Sequence, residues 1–321
     1  MFCRFFRIMN NRDLLKLAEN LEKLEKLRKQ TRNTVVFTAA VVILIFFFIY
    51  RMIYGNIVAA KPIYYSAIYI CAALAGALPL TVAKVRRRYK KLYNSVIVRN
   101  SLERYFEVEE FNSDYGIPKQ LIDSTNMIRT GNGYKTDDLI TGKYKDIFFM
   151  QSDVLMQDRA GVSEYFASRS VTYFKGRWMV FEFNKRFKCD LMVFEKALML
   201  TGKKHTLFLK NDIEKIEFES AQFNSHFDAY TNNQTEAFYV MTPHMMEAVE
   251  SLRESTHGAL LLCFKNNMLH VGVNCGKWAF EPPIFHKIDV ASVGEEIDSD
   301  IRLITQFVDE LKLDEKIYKN D

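Results

Sequence analysis

The sequence contains few of the residues that usually carry catalysis or covalent cross-links. It has six histidines and five cysteines in 321 residues. No two cysteines have CxxC spacing, and their odd number favours free thiols in a reducing compartment over a disulfide framework. A P-loop, a dinucleotide-binding glycine turn, a nucleophile elbow and a His-Glu metalloprotease motif are all absent from the sequence. We therefore expect no bound cofactor, and motifs assign no catalytic or metal-ligating residue.

Negative charge is scarce in the first third of the chain. Residues 1–107 carry 19 Lys+Arg against six Asp+Glu, whereas residues 108–321 carry 25 against 33. An acidic C-terminal part argues against nucleic acid as a partner, because phosphate recognition needs a basic surface. The overall hydrophobic content of 49% is enough to bury a core and excludes a wholly disordered protein.

Charge is absent altogether from two long apolar runs, Asn33–Tyr50 and Pro62–Ala83. A helix needs about 20 apolar residues to cross the hydrocarbon core of a bilayer. The first run reaches that length if its helix continues to Tyr54 with Arg51 at the interface. We predict two transmembrane helices at about 33–54 and 62–83. Two buried core helices are the alternative, but such runs in succession are rare in soluble proteins.

Positive residues precede the first run and follow the second. Lys and Arg mark the cytoplasmic side of a span, so both termini are predicted to be cytoplasmic, with a short loop outside. The cluster after the second run is a candidate contact for anionic lipid, and its alternative role is a plain topology signal. This cluster consists of Lys84, Arg86, Arg87, Arg88, Lys90 and Lys91.

The segments beside the spans are predicted to be helical. Residues 1–32 carry Leu14, Leu17, Leu21 and Leu24 at a spacing of 3.5 residues, which gives one apolar stripe. Residues 84–107 are predicted to form a basic juxtamembrane helix with apolar residues at a similar spacing. A two-span hairpin brings both helices to one side of the membrane, where their stripes favour pairing as a short stalk.

Residues 108–321 show the pattern of an α+β domain. Helices follow grouped strands, which favours antiparallel strands with appended helices over a doubly wound fold. Thr242-Pro243 is a good helix start because Thr caps the helix and Pro fits its first turn. The predicted strands are Ile147–Met156, Ser170–Asn184 with a break at Lys175-Gly176, Leu191–Phe194, Thr206–Leu209 and Lys215–Glu219. An amphipathic helix is predicted over Asp300–Leu313. The whole fold is then an α+β cytoplasmic domain anchored by a two-helix transmembrane hairpin.

The most specific local prediction is a hairpin over 259–274 that turns at Asn266-Asn267. With that register Cys263 lies opposite His270. A Cys and a His across a hairpin are the beginning of a zinc site, but such sites need three or four protein ligands. The other histidines have no spacing that would complete the set. We therefore interpret Cys263 and His270 as part of a half-exposed sheet face, with the zinc site as the alternative.

Four segments, taken in order, resemble a family of bacterial two-span membrane proteins known only as domain of unknown function 3137. They are DDLITGKYKDIFF (Asp137–Phe149), YFKGRWMVFEFNKRF (Tyr173–Phe187), FNSHFDAYTNNQTEAFYVMTPHMMEAV (Phe223–Val249) and FEPPIF (Phe280–Phe285). With the two preceding spans, the resemblance extends from about Val35 to Leu313. It implies a protein of the bacterial inner membrane with a cytoplasmic domain and no catalytic residues to assign. It also implies association with small membrane proteins of the LemA-like type.

Two classes of function remain open on these observations. The first is a membrane-anchored, non-enzymatic binding or regulatory protein, with the bilayer and either a LemA-like protein or a second copy as partners. The second is an enzyme with an unrecognised site in the α+β domain. A deep polar pocket with convergent His, Asp or Arg would favour the enzyme, and a filled sheet–helix interface would favour the binding protein. A transporter subunit is disfavoured because the spans carry no ionisable side chain.

Overall fold

The computed structural model describes residues 11–54, 61–159, 170–182, 186–200 and 212–313. The chain divides into two compact units. The first consists of Met1–Asn100 and Glu281–Glu296, and the second of Ser101–Phe280 and Ile297–Asp321. The first unit therefore combines the N-terminal part of the chain with residues 281–296, which follow most of the second unit in sequence.

Two long helices form the first unit, α1 (Asn11–Tyr54) and α2 (Lys61–Tyr93), and they pack against each other. A π-helical turn, Asn94–Val98, follows α2 and leads into the short α3 (Arg99–Leu102). Leu24 of the predicted stripe is fully buried. The side chains of Leu14, Leu17 and residues 61–76 lie outside the described part, as do residues 55–60 of the predicted outside loop.

Within the described residues, one helix is long and apolar enough to cross a membrane. It is Glu19–Arg51 of α1, with a mean hydropathy of 2.4 over its most apolar 18-residue window. No residue of that window is buried. Large side chains such as Phe46 and Ile43 are 68% and 67% exposed. The structure thus contains one candidate apolar helix that presents its side chains outward.

An antiparallel sheet is the centre of the second unit. Its strands are β1 (Glu107–Asn112), β2 (Gly133–Tyr144), β3 (Ile147–Asp158), β4 (Val171–Glu182), β5 (Leu191–Glu195), β6 (Glu214–Ile216), β7 (Phe227–Thr231), β8 (Ala259–Lys265) and β9 (Met268–Asn274). In the described residues these nine strands run in the order β1-β2-β3-β4-β9-β8-β5-β7-β6. Every neighbouring pair is antiparallel. The prediction of an α+β fold with antiparallel strands is confirmed.

The helices of this unit interrupt or follow the strands. They are α4 (Lys119–Asp123), α5 (Ala197–Leu200), α6 (Ala221–His226), α7 (Gln234–Val240), α8 (Pro243–Ser255) and α9 (Val290–Glu310), whose first turns belong to the first unit. The start of α8 is confirmed, since Thr242 Oγ1 accepts a hydrogen bond from the amide of Met245 at 3.2 Å. The last helix begins ten residues before the predicted Asp300.

One predicted feature of the strands is wrong. β4 runs unbroken through Lys175-Gly176. Gly176 is needed there for close packing, because a Cβ atom would lie 2.0 Å from the carbonyl oxygen of Val273 on β9. The glycine marks a close approach between strands, not an end of the strand. The predicted strand Thr206–Leu209 lies outside the described residues.

The sheet is covered on both faces in the second unit. On one face, Phe307 of α9 packs against Phe181 of β4, with ring centroids 6.2 Å apart. On the other face, four residues from α4 and the chain beside it pack in one apolar cluster with Trp178 and Cys263. These four residues are Ile117, Ile122, Met127 and Ile128. The core is therefore built on both sides of the central strands.

A candidate interaction site on the basic helix

The six predicted lipid-contact residues all lie on α2, immediately after its apolar part. Lys84, Arg86, Arg87, Arg88 and Lys91 are exposed, and Lys90 is half-buried. Residues four apart lie on the same face of a helix, so Arg86 and Lys90 form one cationic face. These two side chains make the contacts from which the site is built.

Glu281 binds both of these cations. One carboxylate oxygen, Oε2, lies 2.9 Å from the Arg86 guanidinium, and the other, Oε1, lies 3.1 Å from Lys90 Nζ. Burial opposes ionisation of this carboxyl, but the positive charges of Lys90 and Arg86 hold its pKa below the usual value. The carboxylate is therefore ionised at neutral pH and forms an ion pair with each of the two cations.

The next residues form a strap, defined here as residues 281–285, that lies along α1 and α2. Pro282 and Pro283 have no amide hydrogen, so the backbone there offers only carbonyl oxygens. Tyr89 is fully buried, and its hydroxyl donates to the Pro283 carbonyl oxygen at 2.7 Å. Burial raises the pKa of Tyr89, so the hydroxyl keeps the proton that it donates.

Arg28 of α1 holds the far end of the strap. Its Nη1 donates to the carbonyl oxygen of Ile284 at 3.0 Å. Its other nitrogens donate to the two carboxylate oxygens of Glu25 at 2.7 and 2.8 Å. Arg28 is only 4% exposed, and this bidentate pairing balances its charge while it binds the strap.

The two residues that precede the strap are held separately, within the second unit. The amide of Ala279 donates to Asp153 Oδ2 at 2.6 Å. The amide of Phe280 donates to Asp300 Oδ2 at 3.4 Å, and Asp300 is in turn ion-paired with Arg177. The segment is thus bound to side chains of its own unit directly before the strap begins.

The Cys263–His270 pair lies on the hairpin formed by β8 and β9. The two residues face each other in register, as predicted. The prediction of a half-exposed face is wrong, because Cys263 and His270 are 0% and 2% exposed. The cause is the segment 117–128, which adds its apolar residues to the cluster around Trp178 and Cys263.

The environment of this pair makes it chemically inert. Trp178 Nε1 donates to His270 Nδ1 at 3.5 Å. Burial lowers the pKa of His270 to about 4 and raises the pKa of the Cys263 thiol. The imidazole is therefore neutral and the sulfur remains a thiol at physiological pH. No group of three or more His, Cys, Asp or Glu side chains suited to a metal ion occurs in the part of the chain that the structure describes.

An acidic groove of about 490 Å³ lies along α6 and α8 in the second unit. Four glutamates line it: Glu219, Glu247, Glu250 and Glu254. His226 Nδ1 lies 2.9 Å, and Arg253 Nε 3.1 Å, from the carboxylate of Glu250. The most buried glutamate of the groove is therefore already paired with basic side chains, and we assign it no reaction.

Sequence reasoning found the cations of the site but not their partners. It placed the six basic residues on one helix and singled out FEPPIF as a matching segment, without a role for Glu281. It missed Arg28 and Tyr89. One signal was available, because Arg28 continues the stripe of Leu21 and Leu24 at the next helical position. A charged residue on an apolar stripe indicates a buried and paired charge.

Comparisons with known proteins bear on the C-terminal part of the chain. A family model described as "Protein of unknown function (DUF3137)" matches residues 172–313. This match supports a domain of unknown function over those residues. No curated protein matches the chain.

Among solved structures, the chain is similar to the crystal structure of the mycobacterial trehalose monomycolate transport factor A, TtfA. The two sequences are 12% identical, and the alignment covers 67% of this chain and 93% of that one with a TM-score of 0.35. Similarity at this level carries no conclusion about the fold or the function.

Proposed function

We propose that this chain is a membrane-anchored, non-enzymatic binding or regulatory protein of the bacterial inner membrane, whose α+β domain lies in the cytoplasm. The observation that carries the proposal is the outward-facing apolar surface of α1. Val36, Phe37, Ile43, Leu44 and Phe46 are each more than half exposed. Contiguous apolar patches of this kind mark membrane or protein interfaces.

The energy at stake is large. Burying one such side chain is worth about 1.5–3 kcal/mol, so five of them together exceed the stability of many domains. A bilayer removes this surface from water along the apolar run of the helix, residues 33–54. We propose that the apolar part of α2, 62–83, crosses the membrane beside it, which makes the protein multi-pass.

The basic cluster supports the same placement. Five of its six residues are exposed on α2, and each positive charge near an anionic leaflet contributes about 1 kcal/mol. We propose that Lys84, Arg86, Arg87, Arg88, Lys90 and Lys91 lie at the headgroup level of the cytoplasmic leaflet. They then act both as the topology signal and as contacts for anionic lipid.

Alkaline carbonate extraction of membranes from expressing cells tests the anchoring. The full chain is expected to stay in the membrane pellet. The variant Ile43→Arg/Phe47→Arg places two charges in the apolar run and is expected to shift the protein towards the soluble fraction. Phe238→Arg/Tyr239→Arg is the matched control, because these aromatic residues are 45% and 70% exposed but lie on α7 in the second unit. Wild-type protein that carbonate extracts completely would contradict the proposal.

The same exposed aromatic residues on α7 favour a protein partner for the cytoplasmic domain. We propose that this partner is either a LemA-like small membrane protein or a second copy of the chain. A photo-crosslinker at Tyr239 distinguishes them by the mass and sequence of the adduct. The homo-oligomer is supported by a product of twice the chain mass that contains only this chain.

A further inference from the structure

We propose that Arg86 and Lys90 form a binding site for the phosphate of an anionic lipid headgroup, and that Glu281 occupies this site from within the chain. Binding of the lipid then displaces Glu281 and loosens the strap. This inference rests on the proposed membrane anchoring, because it requires α2 to enter the bilayer. It adds a ligand class and a form of regulation to that function.

The geometry of the two cations suits a phosphate. They hold one oxygen each of the Glu281 carboxylate, at 2.9 and 3.1 Å. A phosphodiester also carries one negative charge on two free oxygens, so it replaces the carboxylate without a change in net charge. Arginine presents a planar fork that matches phosphate, and lysine binds it as a point charge.

The position of the site along α2 brings it to the lipid headgroups. The apolar run ends at Ala83, and a helix rises 1.5 Å per residue. Arg86 therefore lies roughly 5 Å, and Lys90 roughly 11 Å, beyond the end of the run. The headgroup region of each leaflet is about 5–8 Å thick, and the long side chain of Lys90 can reach back towards it.

The present occupant is held loosely enough to be exchanged. The side chains of Arg86 and Glu281 are 53% and 31% exposed, so this ion pair is weak. The Lys90 side chain is only 12% exposed, so exchange begins on the Arg86 side. Exposed Lys84, Arg87, Arg88 and Lys91 on the same helix concentrate anionic lipid around the pair. A local excess of phosphate therefore competes well with a single tethered carboxylate.

The strap is the element that responds. It keeps its bonds to Tyr89 and Arg28 when Glu281 is displaced, but it loses its first anchor. Phe285, which is 60% exposed, is the last residue of the strap. The expected result of lipid binding is thus a looser strap without unfolding of the helix pair.

Limited proteolysis of the full chain in lipid nanodiscs tests the proposal. Chymotrypsin cleavage after Phe285 is compared in discs of zwitterionic phosphatidylcholine and in discs that also contain anionic phosphatidylglycerol. Cleavage is expected to be roughly fivefold faster in the anionic discs, the size expected when the weak, partly exposed ion pairing of Glu281 is lost. Glu281→Gln is expected to show the fast cleavage in both disc types.

Lipid affinity provides the second readout. Glu281→Gln is expected to retain more spin-labelled phosphatidylglycerol at the protein surface than wild type does. The matched control is Glu295→Gln, which removes one exposed negative charge from the same unit without touching the site. Arg86→Gln/Lys90→Gln is expected to abolish the difference in cleavage rate between the two disc types.

The outcomes separate this proposal from the anchoring on which it rests. Equal cleavage of the strap in both disc types, or equal lipid retention by Glu281→Gln and Glu295→Gln, overturns the site while the protein stays in the disc. Protein that fails to remain in discs contradicts the anchoring itself. Inorganic phosphate added to neutral discs is the remaining arm. Full loosening by phosphate alone would overturn the assignment to a lipid.

Discussion

Arg28 donates a hydrogen bond to the carbonyl oxygen of Ile284 across 256 positions of sequence, at 3.0 Å. The same guanidinium is held by Glu25, three residues earlier on α1. A buried charge is thus balanced locally and uses its remaining donor on a distant backbone. This arrangement explains why an arginine occupies a position where the helical stripe calls for leucine.

Arg28→Met is expected to weaken docking of the strap. Methionine keeps much of the side-chain volume but removes the bonds to Glu25 and to Ile284. The loss should be about 1.5–3 kcal/mol, which is typical of hydrogen bonds to a charged group. The rate of chymotrypsin cleavage after Phe285 in the full chain measures it. Lys29→Met is the control, because Lys29 is the next residue on the helix and is exposed. Equal cleavage rates in the two variants would contradict the role of Arg28.

Local patterns predicted those parts of the fold whose signals are local. The hairpin at Asn266-Asn267 combines a turn dipeptide with two alternating strands, and Asn266 indeed has a φ of 55°. β2 is not among the predicted strands, because Gly133 and the pair Asp137-Asp138 are residues that strands disfavour. Asp138 has a φ of 54°, and the register of β2 on β3 shifts between Asp137 and Ile140. A bulge of this kind hides a strand from any test of period two.

In the candidate site, local sequence patterns predict the basic residues but not the residues that contact them. The basic residues of α2 are adjacent in sequence and stand out by composition alone. Their partner Glu281 is more than 190 positions away, so nothing local connects it to Arg86 or Lys90. The burial of His270 was equally hidden, because it depends on a separate segment around Ile117 and Ile122. Both features arise from tertiary packing and not from any local preference of the chain.

Leu262→Ala and Val271→Ala test the register of the hairpin. The two residues are paired across β8 and β9, and both are fully buried. Each truncation removes apolar contact and leaves a cavity, so a loss of about 1–4 kcal/mol is expected. Denaturant unfolding of the full chain in detergent, followed by tryptophan fluorescence, measures it. Tyr239→Ala removes a larger side chain from an exposed position and should change the unfolding free energy little.

His270 predicts how stability depends on pH. Its pKa is lowered to about 4 in the folded protein by burial, whereas in the unfolded chain it is about 6.5. As pH falls from 6.5 towards 4, the unfolded state therefore gains a proton that the folded state does not, and the protein is destabilised by up to about 3 kcal/mol. His270→Asn keeps an acceptor for Trp178. This variant should make the unfolding free energy less dependent on pH over that range. An unchanged slope in His270→Asn would contradict the contribution of this buried imidazole.

The described cysteines should differ in their reactivity. Cys189 and Cys263 are buried, whereas Cys275 is partly exposed. Burial raises the pKa of the Cys189 thiol to about 11 and that of Cys263 as well, and the thiol form is a poor nucleophile. Maleimide labelling of the native protein with peptide mass spectrometry should therefore modify Cys275, and modify the other two only after unfolding. Labelling of native Cys263 at the rate of Cys275 would contradict the buried position.

Zinc content provides an independent test of the same hairpin. Cys263→Ser and His270→Asn should leave the metal content of the purified chain unchanged, since the pair lacks the further ligands that a zinc site needs. Elemental analysis of the wild type and both variants measures this. Stoichiometric zinc in the wild type that either variant loses would restore the metal site as the leading hypothesis for this part of the sheet.

The final prediction concerns topology. Positive residues precede the first apolar run and follow the second, while the connecting loop between Arg51 and Lys61 carries no further charge. The positive-inside rule predicts a cytoplasmic position for both clusters. Alkaline phosphatase fused after Asp321 should therefore be inactive, and a fusion at Gly55 should be active because the enzyme folds only outside the cytoplasm. Neutralising Lys84, Arg86, Arg87 and Arg88 together with glutamine should yield a mixed orientation, since it removes most of the charge that retains α2. Strong phosphatase activity after Asp321 in the wild type would contradict the two-span arrangement and leave α1 as a single anchor.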